Sequence, residues 1–272
     1  MNNKADMTPE DGGMRETGHG GSEMEQEWER TLTLSRGARE KGFAAYVGEH
    51  SADVTKAFED APNCVCCMDE RVAGKNNGVS IGGSGILIKD DPEKRAAFIK
   101  GLKARGIQRV YLHEGCGAVR GVYASAKDIS PEQAEAEALT WAKELEQELG
   151  GDGEIETLSV TPKEFHNAQC AYIAFTENFN VQAAGETLPP GFVVSGTAVD
   201  LDHVMAQVGV AVSIAFGGHG FGDRFTKENP FLLVIVGNTD ADIARIAAHP
   251  VLQGLVQENG GRVKIDGFVA PN

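Results

Sequence analysis

Two short stretches concentrate the side chains of this chain that could do chemistry. The first, Cys64-Val65-Cys66-Cys67-Met68-Asp69-Glu70-Arg71-Val72, packs three thiols, an acid pair and an arginine together. The second, Tyr111-Leu112-His113-Glu114-Gly115-Cys116-Gly117, offers a histidine and a cysteine at metal-ligand spacing. Thiolate sulfur and imidazole nitrogen are the donors zinc prefers, in a tetrahedral arrangement. Two assemblies follow. In one, Cys67, His113 and Cys116 hold Zn2+ and leave its fourth position to water or, reversibly, to Asp69. In the other, Cys64 joins Cys67 as a CxxC that closes on His113-x-x-Cys116, a saturated structural knuckle.

Asp69 and Arg71 weigh on that choice. Two positions apart on an extended backbone, they share a side and can pair. Arg71 then keeps Asp69 ionised and away from the metal. A closed knuckle leaves this pair without a role. Two thiolates also cancel the formal charge of Zn2+, so such a site acidifies its water less than three histidines would. A nearby acceptor and a dry pocket become correspondingly more important. Cys64, Cys66 and Cys170 read as ordinary buried thiols. Glu70 and Glu114 read as solvated or supporting neighbours of the ligands. His166, His203 and His249, near helix ends, read as surface histidines, and His219 as a histidine of a glycine-rich surface loop. Gly82, Gly83 and Gly85 complete neither a GK[ST] nor a GxGxxG phosphate loop.

The elements that must position these groups alternate. Asn63 to Cys67 reads as a short buried strand, and the glycine-interrupted run from Gly78 to Ile88 as a second. Pro92 to Arg105 reads as a helix, Ile107 to His113 as a third strand. Ser130 and Gln133 form a capping box that opens a helix to about Leu149. Strands follow near Ile155 to Val160, Cys170 to Thr176, Phe192 to Ser195, Phe231 to Val236 and Arg262 to Val269. Helices fall between, over Asp200 to Phe216, Asp240 to Ala248 and Leu252 to Glu258. Upstream, Glu23 to about Gly48 is helical, broken or bent at Gly37 and Gly42, and a short helix covers Asp53 to Glu59. This alternation predicts an α/β fold, a mainly parallel sheet flanked by helices. Ligands of such sheets bind beyond the carboxyl ends of the strands, and both motifs end predicted strands. Residues 1 to about 22 read as a disordered tail, and 23–272 as one domain. No internal repeat is visible.

Composition bounds the partners. The 272 residues carry 25 Lys and Arg against 40 Asp and Glu, a formal net charge of -15. That argues against nucleic acid and against anionic membrane as partners. No apolar run reaches a membrane span. No secretory leader is visible, and an odd count of five cysteines, three of them crowded together, suits a reducing, cytoplasmic compartment better than a disulfide framework.

Cys67-x-Asp69-x-Arg71 followed by His113-x-x-Cys116-Gly117 resembles the paired motifs of the β-class carbonic anhydrases. The likeness spans about residues 60–176. Where those enzymes carry an Arg-Asn-Ala-Gly segment beside the pocket, this chain has Ile81 to Gly85 and lacks the Arg-Asn. The extension over 177–272 is more similar to the limiting-CO2-inducible B/C branch. The resemblance implies a β-carbonic-anhydrase-like fold, zinc at Cys67, His113 and Cys116, and an Asp69–Arg71 dyad that controls access and orients water. It implies reversible hydration of CO2 to bicarbonate in a homodimer. Val72, Val79, Ile81 and Val119 are the candidate pocket walls. A zinc-stabilised bicarbonate-binding regulator and a hydrolase of COS or CS2 are the alternatives it leaves open.

Overall fold

The structure, a computed structural model, describes residues 20–73, 78–161 and 164–271; residues 1–19, most of the expected tail, lie outside them. The described residues begin with α1 (Gly20–Lys41), so Gly20 to Ser22 belong to a helix rather than to the expected tail. Gly42, at φ 81°, ends α1 and separates it from α2 (Phe43–Glu49), while Gly37 stays within α1. The expected break thus falls at Gly42, where a positive φ stops the α ladder, and not at Gly37. A short α3 (Ser51–Thr55) leads to β1 (Cys64–Cys66).

After β1 come β2 (Gly78–Ser80), α4 (Pro92–Ala104), β3 (Arg109–His113), α5 (Ala124–Lys127), α6 (Pro131–Leu149) and β4 (Glu156–Leu158). Then follow β5 (Cys170–Ala174), β6 (Gly191–Ser195), α7 (Leu201–Phe216), β7 (Phe231–Gly237), α8 (Asp240–Ala247), α9 (Pro250–Glu258) and β8 (Val263–Val269). The capping box on α6 forms as read, with Ser130 and Gln133 bonding reciprocally across the first turn. The second expected strand is shorter than its apolar pattern suggests. It stops at Ser80, and Gly82–Ile88 forms short 3-10 turns kinked at Gly83, Ser84 and Gly85, whose positive φ cannot continue a strand.

Among the described residues, eight strands make two four-stranded, all-parallel sheets, ordered β2-β1-β3-β4 and β6-β5-β7-β8. The α/β class is as expected; the division into two like sheets is not. Each half starts at an inner strand, steps to one edge over a link in which no described residue is α-helical, returns through one helix, and reaches the far edge through two. The repeat that the amino acids do not display is thus present in strand order and in connection. The sheets abut along β2 and β6. Ser80 N donates to Ser195 Oγ (2.9 Å), and Val193 N donates to the carbonyl of Met68 (2.9 Å), two residues beyond Cys66, the partner of Ser80. Moving up β2 therefore means moving down β6, and the halves run in opposite senses. This sets the loops that enter β5 and β6 against the loop that leaves β1.

The second sheet is buried on both faces. Ala171 and Ile173 point into the core shared with the first half, whereas Cys170, Tyr172 and Ala174 meet Phe43, Phe179 and Phe268. Continuous apolar strands such as Phe231–Gly237 are what a sheet covered twice requires. Among the described residues no helix is long and apolar enough to cross a membrane.

Gly78 and Gly191 occupy matching places, paired with Cys64 and Cys170 in the two sheets. A Cβ on Gly78 would stand 2.7 Å from Cys66 Sγ and 2.9 Å from Cys64 Sγ. On Gly191 it would stand 2.6 Å from Cys170 Sγ and 2.7 Å from the Cys170 carbonyl. Alanine at either position is expected to cost about 1–3 kcal/mol through overpacking. Gly191→Ala should cost more, since a backbone oxygen cannot rotate aside. Chemical denaturation midpoints of the two variants check the order.

Candidate metal centre

Cys67 follows the last residue of β1, His113 ends β3, and Cys116 lies three residues on, where the chain turns. Because β1 and β3 are parallel neighbours, their carboxyl ends bring all three donors to one point. The ligand atoms of Cys67, His113 and Cys116 lie within 4.8 Å of one another, and all three residues are buried. Cys67 and Cys116 Sγ are 3.6 Å apart. Two thiolates on one zinc, at about 2.3 Å each and a tetrahedral angle, stand about 3.8 Å apart. His113 Nδ1 faces the Glu114 carbonyl at 3.0 Å, which assigns the proton there and leaves the Nε2 lone pair bare. That Nε2 is buried without a hydrogen-bond partner, a costly condition unless a cation takes it. The donor set therefore fits zinc.

Cys64 does not join this group. Its sulfur and that of Cys66 point to the β2 side, where both crowd Gly78, and Cys66 Sγ meets Ser80 Oγ at 3.4 Å. The strand alternation that buries Cys64 with Cys66 turns it away from Cys67, and the four-ligand knuckle finds no support.

The Ile81 to Gly85 segment backs the cluster. Gly83 N donates to Cys67 Sγ (3.4 Å), and a Cβ at Gly83 would meet Ile86 at 2.9 Å and Val119 at 3.2 Å. The loop is pinned by Gly82 N to Gln207 Oε1 (2.7 Å) and by Trp141 Nε1 to the Ser84 carbonyl (3.2 Å). A π-helical turn, Ala118–Tyr123, follows Cys116 and holds its carbonyl through Val119 N and Arg120 N.

Asp69 and Arg71 pair as expected, but across a turn rather than along an extended backbone: Val72 N and Ala73 N both donate to the Asp69 carbonyl. Arg71 Nε and Nη2 donate to Asp69 Oδ1 and Oδ2 at 2.8 and 2.6 Å, and Arg71 N adds a third bond at 3.0 Å. Asp69 Oδ2 remains 3.6 Å from His113 Nε2. Glu70 and His166 join them. His166 Nδ1 lies 3.0 and 3.1 Å from the two Glu70 oxygens, and His166 Nε2 lies 3.4 Å from Arg71 Nη2. His166 is thus not the surface histidine its sequence setting suggests. It precedes β5, and the opposed sense of the halves carries it onto the loop after β1. Nothing local marks it; only the pairing of the sheets does. Glu70 is buried rather than solvated, and Glu114 is exposed. His249 caps α9 at the surface, His203 is half-buried, and His219 is exposed.

The charges follow from these contacts. A hydrogen bond from the Cys116 thiol, against burial and with help from His113, holds Cys67 well below the usual thiol range. The Cys67 thiolate, with burial adding to it, pushes Cys116 well up. Burial lowers His113, but Cys67 and Asp69 outweigh it and raise the imidazole to about 9. Burial raises Asp69, and the Arg71 hydrogen bonds with the fields of His166, His113 and Arg71 outweigh that, leaving the carboxyl far below its usual range. Burial lowers His166, while Glu70 and Asp69 raise it by more.

One space reaches the cluster, and a second opens beside Arg71. A cavity of about 320 Å³ touches His113 and Cys116 and is walled by Leu112, Val119, Ala138 and Leu139. Of the four expected wall residues only Val119 lines it; Val72, Val79 and Ile81 are buried in the core. A wider cleft of about 1040 Å³ reaches Arg71, Gly115 and His166 and is closed by Ile214, Gly217 and His219 from the second half.

Carried across the matched sheet registers, Cys67, His113 and Cys116 correspond to Ile173, Val236 and Thr239. The second half keeps the frame without the donors.

Since Cys116 is held as a thiol by the neighbouring Cys67 thiolate, ligation must displace its proton. Zinc added to metal-free protein at about pH 7.5 in weak buffer should release protons, and apparent affinity should rise with pH. Indicator-dye titration checks both. Set against protein-family models, curated proteins and solved structures, the chain matches none.

Proposed function

We propose that this protein is a zinc-dependent hydratase that interconverts CO2 and bicarbonate. One observation carries the reading. A buried three-donor cluster sits beside an ionised carboxylate that its arginine holds outside the donor set. A structural site uses four protein donors, whereas a catalytic one keeps a position free. Zinc held by Cys67, His113 and Cys116 would supply electrophilic activation of a water molecule.

The chain's own residues do the rest. Asp69, kept ionised by Arg71, accepts a hydrogen bond from the water and fixes the direction of its lone pair toward the substrate carbon. Arg71 restrains the carboxylate from ligating in the water's place. Leu112, Val119 and Ala138 give a small apolar molecule a bed, with Leu139 at the open rim. The net reaction joins CO2 and water to give bicarbonate and a proton, which leaves to buffer. Ile214 and the 217–219 loop wall the cleft beside Arg71, and the homodimer implied by the resemblance remains part of the proposal.

Zinc content and stopped-flow CO2 hydration of wild type, Cys64→Ser and Asp69→Ala test the proposal. Cys64→Ser should keep both metal and rate. Asp69→Ala should keep the metal and lose about 10–100-fold in rate. A zinc-loaded wild type without CO2 hydration at any pH would overturn the reading, and turnover of COS or CS2 by that protein would redirect it.

A further inference from the structure

Arg71 lies between two open volumes. It lines the cleft of about 1040 Å³ on one side and, with Arg30 and Gly191, a pocket of about 300 Å³ on the other. A long side chain in such a place needs a lateral brace to stay on its carboxylate. We propose that His166, itself held by Glu70, is that brace, a positioning residue that keeps Arg71 on Asp69 and so keeps Asp69 from becoming a fourth ligand. The inference rests on the reading of Cys67, His113 and Cys116 as a metal centre.

The contacts converge on one nitrogen. Arg71 Nη2 bonds Asp69 Oδ2 at 2.6 Å and faces His166 Nε2 at 3.4 Å. Arginine only donates, so the imidazole must present its lone pair at Nε2 and its proton at Nδ1, toward Glu70. Glu70 is well placed to receive that proton's hydrogen bond. Its side chain is 0% exposed, and its oxygens accept from His166 Nδ1 and from Asn167 N at 2.9 Å. A buried carboxylate is costly unless fully engaged.

The segment bearing His166 is itself anchored. Asn167 Nδ2 donates to Glu27 Oε1 and Gln169 Nε2 to Thr31 Oγ1, both at 2.8 Å and both on α1. His166 N donates to the His219 carbonyl, and the ring rests 5.5 Å from that of Phe192. The imidazole is thus fixed from α1, from β6 and from the loop after α7. Asp69, Glu70 and His166 also bring donor atoms within 4.8 Å of one another, but the Arg71 guanidinium stands among them and opposes a second cation there.

The test uses the full chain with cobalt in place of zinc, so that the visible spectrum reports the metal's surroundings independently of turnover. Thiocyanate serves as the probe of an available fourth position. Wild type should bind one ion per chain and shift its spectrum with thiocyanate. His166→Leu, which keeps bulk without hydrogen bonds, should still bind one ion. Its apparent thiocyanate affinity should fall about tenfold or more, and hydration should fall with it. His166→Gln, able to accept from Arg71 and donate to Glu70, should recover most of the response. Adding Asp69→Asn to His166→Leu should restore thiocyanate binding, a rescue that a merely structural role of His166 would not produce. Should His166→Leu fail to fold, Glu70→Gln is the second variant and should show the same loss.

Wild-type thiocyanate affinity in folded His166→Leu or in Glu70→Gln would overturn the inference, as would two ions per wild-type chain. An anion-responsive wild type that fails to hydrate CO2 would instead overturn the function proposed above and leave the bracing role measurable.

Discussion

Asp69 and Arg71 form an ion pair whose side chains are each only 4% exposed. Removing two charges from water costs several kcal/mol apiece, and their attraction offsets this only with good geometry and with every remaining donor and acceptor engaged. Much of the architecture around the cluster meets that condition. The turn after β1 gives Arg71 N to the carboxylate; β6 takes the Met68 carbonyl; Glu70 and His166 close the network; α1 holds the segment that carries His166. Such a pair adds little net stability compared with an apolar core of equal volume. Its persistence beside three converging donors is better explained by what it does to Asp69.

The two halves differ in what their like frames contain. In the first, the carboxyl ends of the central strands carry sulfur and imidazole. In the second, the same places carry Ile173, Val236 and Thr239. The fold tolerates either content because strand order and connection depend on backbone pairing and on buried area, not on the end residues. What the second half contributes to the centre is its approach side: the loops before β5 and β6, and the end of α7, stand over the dyad. An opposed arrangement of two like sheets is what lets one half wall the site of the other.

Much of this is legible in the amino acids, and the limits are physical. β1, β3 and β7 announce themselves by β-branched and apolar runs, and the α6 capping box is local chemistry. Cys67, His113 and Cys116 sit at strand ends, so a parallel sheet brings them together. Asp69 and Arg71 are close enough in sequence for their pairing to be foreseen. His166 is hidden because its burial comes from a contact with Arg71, 95 positions away, made only by the meeting of two sheets. The run over Thr161 to Asn167 has no apolar period to suggest it. The shortness of β2 depends on positive φ at Ser84 as well as at its glycine neighbours, which an apolar pattern does not signal. The repeat is invisible in the amino acids because matching positions such as His113 and Val236 share no chemistry.

The opposed packing of the halves also orders events during synthesis. All three donors of the cluster have been translated by Cys116, together with the two strands that bring them together. The brace on Arg71 comes later, with the segment before β5, and its cover later still, with α7. If the cluster holds an ion and turns over CO2 as proposed, the donors would be complete before the brace on Arg71, and metal loading would precede catalytic competence, the second waiting on residues outside the donor set.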